Sequence, residues 1–186
     1  MSAPGHRRGA FWAALFCCLC MSMSADSALV IRSERADRPE VMALLDALDA
    51  YLGSLYAPED NHILDVAALL APDVDFLVAE LEGRLLGCGA TRRMPGEPET
   101  GGQAYGEIKR MFVLPAARGR RIAEQVLGML ERRLLAAGLS LATLETGRDQ
   151  HEAIRLYERC GYTRRGPFAG YPDNGLSVFY EKRLSA

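Results

Sequence analysis

Residues 105–137 read as a strand, a tight basic turn and a long helix in direct succession, and few features constrain a fold more. Tyr105–Leu114 alternates, which sends Ile108, Arg110, Phe112 and Leu114 to one face and Glu107, Lys109, Met111 and Val113 to the other. Pro115 ends the strand. After Arg118-Gly119-Arg120-Arg121, apolar residues at Ile122, Ala123, Val126, Leu127, Leu130, Leu134 and Leu135 form one stripe, which predicts a helix from about Arg121 to Ala137 stopped by Gly138. A helix start presents unpaired N–H groups and the positive end of its dipole. With three arginines beside it, such a turn suits a diphosphate, although a solvated basic turn has the same composition.

The flanking sequence alternates in the same manner. A short strand is expected at Ala28–Ser33. An amphipathic helix with a capping-box pattern at Asp37 and Glu40 follows, and then a shorter helix near Ile63–Leu70. Two β-rich runs surround Glu82-Gly83-Arg84 as a hairpin. The pattern continues with a strand at Leu141–Thr146 and a helix opened by Asp149 and Glu152, whose inner face is Ala153, Leu156, Tyr157 and Cys160. Two last strands lie near Tyr162–Arg164 and Leu176–Lys182. The chain is therefore expected to be α/β.

With 22 Lys and Arg against 24 Asp and Glu, the formal charge is -2, which supplies no basic field for nucleic acid. Five cysteines, three of them at Cys17, Cys18 and Cys20, show neither a disulfide framework nor zinc-ligand spacing, so no metal is expected. His6, Arg7 and Arg8 precede an apolar run at Ala10–Met21 followed by small residues. Residues 1–25 thus have the layout of a secretory signal too short to span a bilayer, or precede a true start at Met21 or Met23. Residues 28–183 are expected to be one domain.

The turn at Arg118–Ala123, followed by the element Ala153, Leu156, Tyr157, Gly161, Tyr162, resembles the GNAT superfamily of acetyl-CoA-dependent N-acetyltransferases. That family's phosphate loop runs Gln or Arg, two residues, Gly, one residue, then Gly or Ala. Arg118 and Ala123 match its outer positions, and Arg121 stands at its central glycine. The resemblance covers about residues 28–183. It implies a mixed central sheet of about six or seven strands, flanked by about four helices and splayed between its two central parallel strands. It also implies acetyl-CoA as co-substrate and direct transfer to an amine in a ternary complex.

Carried over residue by residue, the resemblance places the acetyl-CoA site at Met111, Phe112, Val113, Arg118, Gly119, Arg120, Arg121, Ile122, Ala123 and Gln150. Glu107, eleven positions before Arg118, matches the spacing of a general base in histone-type members, acting directly or through water; a salt-bridged strand glutamate is the other reading. Tyr157 matches the family's proton donor to the leaving thiolate, and its spacing also suits a core tyrosine. The acceptor cleft would draw on Tyr56, Asn61 and His62 after the first helix and on Phe168 and Tyr171 between the last strands. The expected acceptor is a primary amine on a small molecule, an amino acid or amino-acid-like compound, in a cytoplasmic monomer or homodimer. The alternatives are a peptide or protein acceptor, a non-catalytic acyl-CoA-binding module, and an exported or membrane-tethered protein if the leader is retained.

Overall fold

In the computed structural model, which describes residues 28–185, strands and helices alternate along the chain. They are β1 (Val30–Ser33), α1 (Pro39–Gly53), α2 (Val66–Leu69), β2 (Val74–Leu81), β3 (Arg84–Met94), β4 (Tyr105–Val113), α3 (Ile122–Ala136), β5 (Leu141–Gly147), α4 (His151–Arg159), β6 (Thr163–Arg165) and β7 (Ser177–Arg183). The strands form one sheet in the order β1-β2-β3-β4-β5-β7-β6. Every neighbouring pair is antiparallel except β4 with β5, which run parallel. The expected signal or displaced start at 1–25 lies outside the described residues. Among those residues, no helix is long and apolar enough to cross a membrane.

The apolar stripe of α3 does what its period implies. Val126, Leu127, Leu130 and Leu134 are buried in a cluster with Leu77, Ile108 and Leu144 of the sheet and with Leu156 and Tyr157 of α4. On the opposite face, Val41, Leu44, Leu45 and Leu48 of α1 pack with Phe76, Val78, Cys88, Ala90 and Phe112. Burial of this kind stabilises each large side chain by roughly 1.5–3 kcal/mol. The β2–β3 hairpin turns through Glu82 and Gly83, both at positive φ, as a two-residue turn requires.

Three local expectations need correction. Asp37 does not cap α1, because its carboxylate is taken by the Arg35 guanidinium, and Arg38 occupies the N-cap with Pro39 following. Glu152 does not close a capping box on α4. It pairs with Arg118 at 2.6 Å, and Gln150 is the N-cap. A side-chain cap does form at Asp65, which accepts from the Ala68 amide at 2.7 Å, but the helix behind it is a single turn, not the whole of Ile63–Leu70.

The alternation in β4 is also broken. Cys88 pairs with Phe112 and Ala90 with Lys109, so Gly89 alone faces both Arg110 and Met111. This is a β-bulge, with Arg110 at φ 55°. The extra residue reverses the facing of everything beyond it. Ile108, Met111 and Val113 therefore meet the α3 side, whereas Glu107 and Lys109 share the α1 side with Phe112. Glu107 accordingly does not lie on the face of Met111 and Val113, as strict alternation had it. Gly89 is required at the crossing: a Cβ there would come within 2.5 Å of the Met111 sulfur and 2.9 Å of Val126.

Candidate active site

The parallel pair β4–β5 is where the sheet opens. Pairing covers only Gly106–Ala142, Glu107–Thr143 and Ile108–Leu144, after which β4 continues to Val113 and β5 to Gly147 without each other. Backbone edges left unpaired by such a divergence are available to a ligand. A cleft with two connected lobes occupies the opening, and both lobes are bounded by Leu48, Met111, Gln150 and Tyr157.

The larger lobe measures about 410 Å³ and is lined by Met111, Phe112 and Val113, by Arg118, Gly119, Arg121, Ile122 and Ala123, and by Gln150. Of the positions expected there, only Arg120 is not on its wall. The floor at one end is the start of α3. No side chain caps that helix, and its first-turn amides have no carbonyl four residues back, so they are open to an acceptor. Gly119 at φ 79° and Arg121 at φ 56° fold the loop back under the helix. Arg121 thus holds the left-handed conformation that a glycine would take without cost. Arg118 ties the loop to β4 by donating to the Val113 carbonyl at 3.4 Å and bridges to Glu152 at 2.6 Å. A helix start with open amides and the positive end of its dipole is the kind of feature that can accept an anion.

The smaller lobe, about 90 Å³, is lined by Tyr56, Asp60, Asn61 and His62 from the segment after α1, by Ile108–Met111 of β4, and by Glu145, Thr146 and Ser177. Tyr56 closes one side: its hydroxyl accepts from the Asp149 amide at 3.0 Å, and its ring fills the space a Cβ on Gly147 would need. Glu145 enters the lobe because β5 has lost β4 just before it, and its carboxylate accepts from Ser177 Oγ. His62 Nδ1 is buried without a hydrogen-bond partner and lies 3.9 Å from Glu145 Oε1.

Tyr157 sits where the lobes meet. It is 5% exposed and belongs to the α3-side core, and burial raises its phenol well above the ordinary tyrosine range. The group therefore stays protonated through neutral pH and is a hydrogen-bond donor there. Cys88, by contrast, is buried in the α1-side core with its thiol pushed up to about 12, which removes it as a nucleophile.

Three further expected site residues are not on the walls of the two lobes. Glu107, 4% exposed, lines neither lobe. Its Oε1 accepts from the Tyr171 hydroxyl at 2.6 Å and from Lys109 Nζ at 3.2 Å. Tyr171 is spent on that network and on an edge contact with the His62 ring at 4.9 Å. Phe168, 1% exposed, packs with Tyr105, Leu141 and Phe179 as core. Conversely, Glu145 and Ser177 line the cleft without having been singled out. The available signal was a glutamate inside the otherwise apolar and threonine-bearing strand LATLETG.

Comparison with known proteins bears on this geometry. The model of the Acetyltransferase (GNAT) family matches residues 41–162. An IAA acetyltransferase of Azospirillum brasilense is 45% identical over 156 residues, covering 84% of this chain and 98% of that protein. A solved structure from Klebsiella pneumoniae, assigned to the acyl-CoA N-acyltransferases, superposes with a TM-score of 0.69 at 34% identity, covering 84% of this chain and 98% of that one. The PaiA N-acetyltransferase of Thermoplasma acidophilum, solved with coenzyme A, shares the fold at a TM-score of 0.66 and 16% identity, covering 84% and 99%.

Proposed function

The chain belongs to the GNAT acetyltransferase family and is an acetyl-CoA-dependent acyltransferase; on that premise we propose that it acetylates a primary amine of a small molecule in a ternary complex. The observation that carries this reading is the two-lobed cleft, large at the anion-accepting loop, small at the other end and joined at Tyr157. The amides at the start of α3, with Arg118 beside them, would hold the diphosphate of the co-substrate. The unpaired edge of Met111–Val113 would hold its arm. Tyr157 then donates to the departing sulfur as the thioester bond breaks.

The smaller lobe, about 90 Å³, has room for an amine and a few atoms around it, which suits a small-molecule acceptor. The similarity to an enzyme named for acetylating IAA supports an acceptor outside the protein class. Thiol release from acetyl-CoA, measured across a panel of small amines and lysine peptides, tests the proposal. Turnover confined to the small amines is expected; faster turnover on peptides would reverse the acceptor assignment.

The loop makes a second prediction. Arg121→Gly removes the left-handed strain of a non-glycine residue, worth about 1–2 kcal/mol, but adds chain entropy to the unfolded state, worth roughly 0.5–1 kcal/mol. Stability should therefore rise by about 0–1.5 kcal/mol. Affinity for coenzyme A should fall only modestly while its salt dependence weakens, because one exposed charge has gone. Calorimetry at two ionic strengths reads both effects.

A further inference from the structure

Resting on the amine-acetylation reading above, we propose that His62 and Glu145 form the amine-receiving pair of the smaller lobe. His62 Nδ1 takes the proton from the acceptor ammonium, Glu145 holds the positive charge, and Ser177 positions the Glu145 carboxylate.

The spacing is the first argument. At 3.9 Å, His62 Nδ1 and Glu145 Oε1 are too far apart to bond each other and close enough for one polar atom to touch both at ordinary hydrogen-bond distance. The burial of His62 Nδ1 is the second. A buried ring nitrogen without a partner is costly, and a donor placed between the two groups removes that cost. The surroundings are the third. Lys109 is committed to Glu107 and Tyr171, and Arg110 to Asp49, so the two cations of the lobe are already matched. Among the described residues no lysine or arginine pairs with Glu145, whose one ionic neighbour is His62. The lobe thus presents uncompensated negative charge at Glu145, with Asp60 on the same wall, which attracts an ammonium and repels a carboxylate.

His62 is also held in place. Its ring stands edge-on to Tyr171, and its carbonyl accepts from Lys109 Nζ at 3.3 Å. Imidazole is the side chain suited to accept and release a proton near neutral pH.

The transfer balances as follows. The ammonium gives one proton to His62, which becomes imidazolium beside Glu145. The freed nitrogen lone pair forms a bond to the thioester carbonyl carbon. On collapse the carbon–sulfur bond breaks and the sulfur takes a proton from Tyr157. The second proton leaving nitrogen restores the phenol, and His62 releases the first to solvent.

The experiment compares wild type, His62→Gln and Glu145→Gln by thiol release against an amine, with pH profiles and calorimetric binding of coenzyme A. The titratable and charged groups that line the lobe with His62 are Asp60 on its own segment, Tyr56, Lys109 and Arg110 of β4, Glu145 of β5 and Tyr157 of α4, and Tyr171 stands against its ring. His62→Gln should lower kcat/KM for the amine by about 10²-fold or more and abolish the acidic limb of the profile, while coenzyme A binding stays within twofold. Glu145→Gln should act chiefly on amine KM, raising it about tenfold or more.

A His62→Gln protein that turns over within threefold of wild type with its acidic limb intact overturns the proposal, as does an unchanged amine KM in Glu145→Gln. If either variant fails to fold, the nitrogen resonances of His62 in wild type decide. A shift on adding amine to the coenzyme A complex supports the pair, and an unmoved signal overturns it. A wild-type protein that binds coenzyme A but acetylates no amine instead overturns the amine reading itself.

Discussion

Tyr157→Phe is expected to lower kcat by about 10²-fold or more while leaving the affinity for coenzyme A within a few-fold of wild type. Among the described residues Tyr157 is the one aromatic side chain that lines both lobes, and on the proposed reading it would stand beside the thioester as an acceptor meets it. General-acid help at a leaving group is worth about 10²–10⁴ in rate. Phenylalanine keeps the ring that packs near Tyr162 and Tyr180, so the fold should tolerate the change.

The pH dependence sharpens the test. Burial raises the Tyr157 phenol, with the Glu145 charge adding to it, so the protonated form persists to a higher pH than for a free tyrosine. The sign follows directly. Below the ordinary tyrosine range the donor is fully protonated, so wild type should lose no activity from this group until well into alkali, and wild type and Tyr157→Phe should have parallel profiles at neutral pH. Stopped-flow or steady-state thiol release from pH 6 to about 10 measures this. A variant retaining wild-type kcat would remove the proton-donor role and leave Tyr157 as a core residue.

Much of this was readable from local pattern. The α3 stripe needed only a period of 3.6, because Val126, Leu127, Leu130 and Leu134 face one apolar surface whatever the rest of the chain does. The Glu82-Gly83 turn and the glycine stops at Gly138 and Gly161 were legible for the same reason, since positive φ is a local demand. The failures share a different cause. Asp37, Asp149 and Glu152 stand where capping residues stand, but capping is a competition. Arg35 takes the Asp37 carboxylate and Arg118, 34 residues from Glu152, takes the other. The bulge at Arg110 leaves no mark in the alternation of β4, because it is set by how β3 and β4 register. Glu145 escaped notice because its importance arises from the point at which β4 leaves β5.

Glu107 concentrates these lessons in one position, and its substitution should have the largest effect on stability. Lys109 is almost enclosed, with its side chain 10% exposed, and Glu107 is the carboxylate that balances it. Glu107→Gln leaves that ammonium buried without its counter-charge, a change that costs about 3–5 kcal/mol. Burial, the largest cause, raises the Tyr171 phenol even without the Glu107 charge, so Tyr171 offers Lys109 no ready charge in compensation. Removing both charges in Glu107→Gln/Lys109→Met should recover most of the lost stability, because the uncompensated ion is gone. Denaturant unfolding of the two single variants and the double variant measures this coupling. Turnover of the folded double variant then separates the roles open to Glu107. If it only anchors Lys109, and through it the His62 carbonyl, the acidic limb of the pH–rate profile must survive with a reduced amplitude. If Glu107 itself takes the proton, that limb must vanish although the fold is restored.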